Sequence, residues 1–496
     1  MKSSEVEHKL HESVRRRSLN FIDLFAGCGG MSLGFRRAGF NILGGVEYDE
    51  TASRTNALNF FKRAKKKAQI CHSAAKDITQ LPPHKFLNEL NDCNGPGTTV
   101  DVVIGGPPCQ AFARIGRAKL REILEHPEAF LTDERASLYL HYLEYVDFFR
   151  PLAVVMENVP DIMNFGGKNI AEEIAISLDN LGYEAHYTIL NSAHYGVPQM
   201  RQRFFLIAFL KELELIPEFP QPTHYIDLPK GYEGSLQVAL TGLNLSLFDY
   251  DGHDGFRYVS PPSADPTLPP AITATDALGD LPPITLHLEG KLKRGQRKFD
   301  TLAPYRDDVA PSEYAALMRR WKGFASSDGV YDHVIRSLPR DYQIFQRMQP
   351  GDQYPEAYKV AERIFEEELA RLSNGNVIHE GSIEYQELRS SIVPPYSPEK
   401  FPNKWRKMEA DKPARTLTAH IGKDTYSHIH YDSSQARVIS VREAARLQSF
   451  PDGFKFEGAM NAAFRQIGNA VPPLLANAVA KSIKAQLKTA VKRVPR

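Results

Sequence analysis

The stretch FIDLFAGCGGMSLGF, Phe21 to Phe35, decides the fold: an apolar run passes through a glycine-rich turn straight into an amphipathic segment. Strand, glycine turn and helix in that order open a doubly wound α/β unit, and Gly27, Gly29 and Gly30 occupy the turn. Glycines there let the backbone turn tightly and approach a ligand, while the first N–H groups of the helix are left to face whatever binds. The spacing is not the GxGxxG of dinucleotide enzymes, and no second basic residue is placed to hold a pyrophosphate.

Outward from this turn, residues 20 to 218 alternate short runs rich in Val, Ile and Phe with longer amphipathic stretches, the texture of βαβ units. The pattern predicts strands at 21–25, 41–47, 100–104, 153–157, 184–190 and 203–209, with helices at 136–149 and 171–181 among those between them. A mostly parallel, buried sheet follows. After Glu218 the texture changes to Pro, Gly and mixed polar residues, as in YVSPPSADPTLPPAITATDALGDLPPI from Tyr258 to Ile284. Proline at that density excludes continuous helix or central strand, so a loop-rich second domain or large insertion is expected. An apolar helix pattern, LLANAVAKSIKAQL, begins at Leu474. The expected organisation is a basic N-terminal extension at 1–17, a catalytic and cofactor-binding domain at 18–217, a variable region at 218–410 and a closing segment at 411–496 that returns to the first domain.

Length agrees with two domains, since single cores stop growing at roughly 250 to 300 residues and the chain has 496. Hydrophobic and charged fractions of 42% and 24% are those of an ordinary globular protein, which excludes wholesale disorder and a fibrous architecture. The net charge of +1 leaves any nucleic-acid surface to the sorting of charges, and two basic runs exist, KRAKKK at Lys62 to Lys67 and KLKRGQRK at Lys291 to Lys298. Cys28, Cys71, Cys93 and Cys109 are irregularly spaced, with no CxxC pair for a zinc site, so reduced thiols and no metal are expected. The opening MKSSEVEHKLHESVRRRS carries charges where a signal peptide needs its apolar core, and no later run reaches membrane-spanning length, which points to a cytoplasmic protein.

Three further segments carry chemistry. GGVEYDE ends the second strand with Glu47, twenty residues beyond Gly27, where doubly wound folds place a carboxylate on ribose hydroxyls. Tyr48 offers a ring face to an adenine, and Asp77 is a candidate for the adenine amino group or a plain helix cap. In DVVIGGPPCQAFARIGR, Asp101 to Arg117, a buried strand delivers Cys109 behind Pro107 and Pro108 onto a rigid loop at the carboxyl edge of the sheet, a presentation suited to a nucleophile. In SAHYGVPQMRQRFFLIAF, Arg201 and Arg203 alternate on a strand and so address one face.

FIDLFAGCGG, GGPPCQAF, VMENVP, QMRQRFF and FRQIGNAVPP, in this order, resemble the motifs of the cytosine-5 DNA methyltransferase family across nearly the whole chain except its middle. The resemblance implies a Rossmann-like methyltransferase domain, S-adenosylmethionine as donor with S-adenosylhomocysteine as product, and a separate target-recognition domain that reads double-stranded DNA. It implies Cys109 as nucleophile, Glu157 as the acid near ring nitrogen 3, Arg203 on the cytosine carbonyl and Arg201 bracing the loop and Glu157. Cofactor contacts are implied at Phe25, Ala26, Gly27, Gly29, Gly30, Glu47, Tyr48, Asp77, Ile78, Pro108, Leu138, Asn469 and Ala470, and DNA contacts at Gln110, Arg201 and Arg203. The segments ARTLTAHIGKDTYSHIH and ISVREAARLQSFPDGF, between Ala414 and Phe454, resemble the family segment that follows and organises the recognition region.

The resemblance also implies a monomer acting on DNA at the nucleoid and a cognate restriction or phage-defence system. Two other readings compete: an RNA cytosine-5 methyltransferase, against which the long variable region argues, and a DNA-binding regulator that has lost catalysis, against which intact Cys109, Glu157, Arg201 and Arg203 argue. A nicotinamide oxidoreductase fits neither the glycine spacing nor the PPCQ loop.

Overall fold

The computed structural model describes residues 2–16, 18–108, 138–164, 169–229, 232, 257–291, 302–373, 378–419, 421 and 426–493. The chain divides into two compact units, one of residues 1–270 and 470–496 and the other of residues 271–469. Residues 218–270 therefore pack with the first unit and 411–469 with the second, a division that change of texture along the sequence does not mark.

The first unit is built on a six-stranded sheet: β1 (Asn20–Leu24), β2 (Asn41–Val46), β3 (Val102–Gly105), β4 (Ala153–Asn158), β5 (Tyr183–Asn191) and β6 (Gln202–Leu210). Their spatial order is β2-β1-β3-β4-β6-β5. β1 pairs parallel with β2 and β3, and β3 with β4, whereas β6 runs antiparallel to both β4 and β5. All six strands fall where the alternation of apolar runs predicts them. β1 and β3 are buried along their whole length, which is why they read as continuous apolar runs and not as alternating ones.

Helix α1 (Lys2–Arg16) precedes the sheet, and the expected basic extension is tied to the first unit by specific bonds. Val6 and Leu10 are buried in its core, and Lys9 Nζ donates to the carbonyls of Phe149 and Arg150 at 2.7 and 2.8 Å. Arg16 Nη2 reaches both carboxylate oxygens of Asp101, at 2.9 and 2.7 Å. Helices α2 (Gly30–Arg37), α3 (Glu50–Phe60), α4 (Lys66–Ser73), α5 (Pro83–Asn94), α6 (Leu138–Phe149) and α7 (Ile170–Asn180) follow. The last helix of the chain, Pro473–Arg493, packs on α2 so closely that a β-carbon on Gly34 would lie 2.5 Å from that of Ala476. Lys484 Nζ from the same helix caps the carbonyl of Ala38 at 2.8 Å, so this helix is bonded to the turn that ends α2.

The proline-rich stretch 258–284 runs from the first unit into the second, and the only helix described in it is the short Ala274–Leu278. Farther on, however, the 19-residue helix Tyr354–Leu372 buries Tyr354, Ala357, Val360, Ala361, Ile364 and Phe365, and with Phe345, Trp405 and Ile429 they form a second core. Polar groups are buried there too: Arg446 pairs with Asp280 and, at 2.7 Å, with Asp452, and Arg437 pairs with Glu443 at 2.7 Å. Three of these five groups come from ISVREAARLQSFPDGF, and each of the five has its counter-charge, whereas buried Arg442 of the same segment donates to the carbonyls of Tyr331, Pro451 and Phe454.

Candidate active site

The glycine turn leaves β1 through two left-handed residues, Phe25 at φ 62° and Gly27 at φ 53°, and enters α2 through Gly29 at φ 91°. A β-carbon built on Gly27 meets no atom within 4 Å, so the turn opens on space there. Its N–H donates to Glu47 Oε2 at 2.7 Å, and the N–H of Asp49 donates to Glu47 Oε1 at 2.7 Å. The strand-end carboxylate is thus aimed at the turn by backbone donors. Burial raises its pKa, against those two bonds that lower it. Tyr48, held between Glu47 and the N-cap Asp49, exposes 76% of its surface.

Around this cradle, Ala26, Gly29, Gly30 and Ile78 are buried and Phe25 is half-buried. The N–H of Lys76 donates to the Glu47 carbonyl at 2.7 Å, which places the following turn at the end of β2. Asp77 Oδ1 accepts from both the N–H and the hydroxyl of Thr79, at 2.9 and 2.8 Å, so that oxygen is engaged in a local turn. Beneath the cradle lies a group the sequence reading passed over: Asp23 in β1 is buried, accepts from Ser32 Oγ at 2.6 Å, and is pushed by burial up to about 7.

A second constellation stands where β3 and β4 end and the antiparallel β6 begins. Glu157 at the end of β4 sits over the turn that leaves β3: a β-carbon on Gly106 would lie 3.0 Å from its Oε2. Arg203 Nε lies 3.0 Å from Glu157 Oε1. Arg201 is 1% exposed, and its charge also acts on Glu157, whose pKa is nevertheless raised because burial outweighs both arginines. Among the described residues, the ion pair with Glu157 is made by Arg203. Register explains this: Glu157 stands opposite Phe205, and Arg203, two residues along β6, shares that face.

The profile of the C-5 cytosine-specific DNA methylase family matches residues 19–264 and 320–485, which contain the glycine turn, Glu47, Cys109, Glu157 and both arginines. The chain belongs to that family.

This DNA cytosine-5 methyltransferase is 40% identical to the Oceanobacillus iheyensis protein named type II methyltransferase M.OihORF3336P, over 96% of the chain and 97% of the relative. It is 32% identical to type II methyltransferase M.AgeI of Thalassovita gelatinovora, over 93% and 98%. Among solved structures, a DNA modification methyltransferase encoded within an E. coli prophage superposes with a TM-score of 0.57 at 22% identity, over 95% of this chain and all of that one, a likeness of fold. Enzymes of the family act on DNA and take their methyl group from S-adenosylmethionine.

The open space over Gly27, the carboxylate of Glu47 and exposed Tyr48 fit such a cofactor in the methyltransferase. Pro108 is exposed and Leu138 half-buried, at the two ends of a segment, 109–137, that contains Cys109 and Gln110 and lies outside the described residues. Asn469 is exposed and Ala470 half-buried, one on each side of the division between the units. Asn158, unlisted among the motif's expected chemical roles, is buried and donates from Nδ2 to the Pro107 carbonyl at 2.8 Å. No spacing along the chain marks this contact.

Proposed function

We propose that this methyltransferase modifies carbon 5 of a cytosine flipped out of a specific duplex DNA sequence, through a covalent bond between Cys109 and carbon 6, as the modification arm of a type II restriction-modification system. The observation that carries this reading is the half-buried Glu157–Arg203 pair over Gly106, three residues before Cys109 in the chain. The names of the similar type II methyltransferases support the cellular role.

Carbon 5 of cytosine is too weak a nucleophile to react unaided. Addition of the Cys109 thiolate to carbon 6 makes the ring an enamine, and a proton held by Glu157 at ring nitrogen 3 neutralises the charge that develops. Its raised pKa suits Glu157 to hold that proton. Arg203 fixes Glu157 and orients the base at its carbonyl, and buried Arg201 braces the active-site loop and Glu157. Once carbon 5 has accepted the sulfonium methyl group, which leaves S-adenosylhomocysteine, loss of the carbon 5 proton and of the cysteine restores aromaticity. S-adenosylmethionine supplies a methyl group on a sulfonium sulfur. Gly27, Gly29, Gly30, Phe25, Ala26 and Pro108 shape its cradle, Glu47 holds the ribose, and Tyr48, Asp77 and Ile78 hold the adenine, with Leu138, Asn469 and Ala470 completing it.

Residues 218–410 are assigned to target recognition, because a flipped base leaves its neighbours to be read by side chains outside the catalytic motifs. Gln110 joins Arg201 and Arg203 as a DNA contact. The enzyme acts as a monomer in the cytoplasm, at the nucleoid; in support, no described helix is long and apolar enough to cross a membrane. Bisulfite sequencing of DNA from cells expressing the protein tests the reading. One recurrent methylated sequence, changed when 218–410 is exchanged with a relative's, is expected; DNA without new 5-methylcytosine overturns it.

A further inference from the structure

The parallel ladder between β3 and β4 has its last registered pair at Gly105 and Met156. Beyond it the chain enters Gly106-Pro107-Pro108, and prolines have no N–H to carry a ladder forward. The loop that bears the nucleophile therefore leaves the sheet where backbone pairing cannot steer it. Two side chains from the end of β4 stand at that place. Glu157 closes over Gly106, and Asn158 Nδ2 donates 2.8 Å to the carbonyl of Pro107, which is itself buried. Asn158 cannot swing away, because its Oδ1 accepts the N–H of Val159 at 2.8 Å and the residue is only 6% exposed. Its amide thus spans from one strand end to the next as a substitute rung.

We infer that Asn158 is a positioning residue for the nucleophile: its bond to the Pro107 carbonyl sets the direction in which the chain presents Cys109, two residues on. The inference rests on the reading of Cys109 as nucleophile. A buried carbonyl has few ways to be satisfied, and here the donor also joins the loop to the strand that carries Glu157. The acid and the residue that holds Pro107 are consequently adjacent on one strand. Removing the rung leaves Pro107 and Pro108 stiff but their heading undetermined, and a small misplacement of a reacting atom costs about a hundredfold in rate.

The test uses full-length Asn158→Ala and the isosteric Asn158→Asp, which keeps the acceptor for Val159 and loses the donor for Pro107. Measured for each are S-adenosylmethionine affinity by calorimetry, affinity for cognate duplex DNA, thermal midpoint, and the rate of covalent capture by DNA carrying 5-fluorocytosine. Both variants are expected to bind cofactor and DNA within about threefold of the parent and to be captured about a hundredfold more slowly, with kcat falling and KM little changed. Asn158→Gln, which restores a donor on a longer arm, is expected to recover part of the rate. Capture at the parent rate in both variants, whether or not the thermal midpoint falls, makes the bond merely structural and overturns the inference. Cys109→Ser serves as the control: if it too is captured, the reading of Cys109 fails, a result distinct from a failure at Asn158 alone.

Discussion

Arg203 Nε lies 3.0 Å from Glu157 Oε1, with both side chains mostly withdrawn from water, at 14% and 12% exposure. The pair does two things at once. It holds the carboxyl in place, and it offsets part of the burial that raises the Glu157 pKa. Arg203→Ala should therefore lower kcat/KM about a hundredfold or more by misplacing the acid. It should also move the limb of the pH profile that reports Glu157 to higher pH, since a lowering influence is gone. Steady-state rates on cognate DNA between pH 5 and pH 10 check both effects; an unshifted limb would remove Glu157 from the proton transfer.

Glu47 accepts two backbone N–H bonds at 2.7 Å and is aimed at the open side of the glycine turn. Glu47→Ala should weaken S-adenosylmethionine binding by roughly 1.5 to 3 kcal/mol, the worth of a charge-assisted hydrogen bond, while DNA affinity changes little. Calorimetry decides it, and unchanged cofactor affinity takes Glu47 out of the site.

Asp23 makes stability depend on pH. Burial lifts its pKa from 3.8 to about 7, so the folded protein keeps a proton that the unfolded chain releases. The stabilisation is fully present below about pH 4 and drains away as pH rises to about 7. Asp23→Asn should flatten this dependence, by no more than about 4 kcal/mol in all. Thermal midpoints from pH 4 to pH 8 are the measurement, and an unaltered slope in the variant would show that another group titrates.

The N-terminal helix gives a stability prediction. Asp101 is wholly buried and Arg16 Nη2 contacts it at 2.7 Å, so Arg16→Ala strands a carboxylate in the interior. The N–H of Asn20, which donates to Asp101 Oδ2 at 2.6 Å, remains in the variant and Arg16 is partly solvated, so a loss of roughly 3 kcal/mol, at the lower end for a buried pair, is expected. Chemical denaturation should show it, and a variant as stable as the parent would mean that Asp101 is satisfied without Arg16.

Much of this fold was legible because the sheet is buried on both faces: VVIG and NFIDL can be little other than central strands. The cradle was legible for a related reason, since a glycine turn and a strand-end acid twenty residues on must meet when two adjacent strands are parallel, as Gly27 and Glu47 do. The helix Tyr354–Leu372 escaped notice although its apolar residues recur at helical spacing, because the prolines upstream set the reading of the whole region. Asp23 and Asn158 escaped for another reason. Their roles depend on what each side chain meets once folded, Ser32 on the following helix in one case and the Pro107 carbonyl in the loop beyond β3 in the other, and the apolar pattern along the chain does not mark such polar contacts.

The central claim is that Cys109 bonds carbon 6 of the target cytosine, and covalent capture by duplex DNA carrying 5-fluorocytosine at the target site tests it most directly, because fluorine blocks the elimination that would release the enzyme. The parent protein should form a denaturation-resistant complex with S-adenosylmethionine present, and peptide mapping should find the DNA on Cys109. Cys109→Ser should form none while still folding and binding S-adenosylmethionine, since a hydroxyl is a far poorer nucleophile near neutral pH. Capture of the serine variant, or a parent adduct mapped to another residue, would contradict the claim.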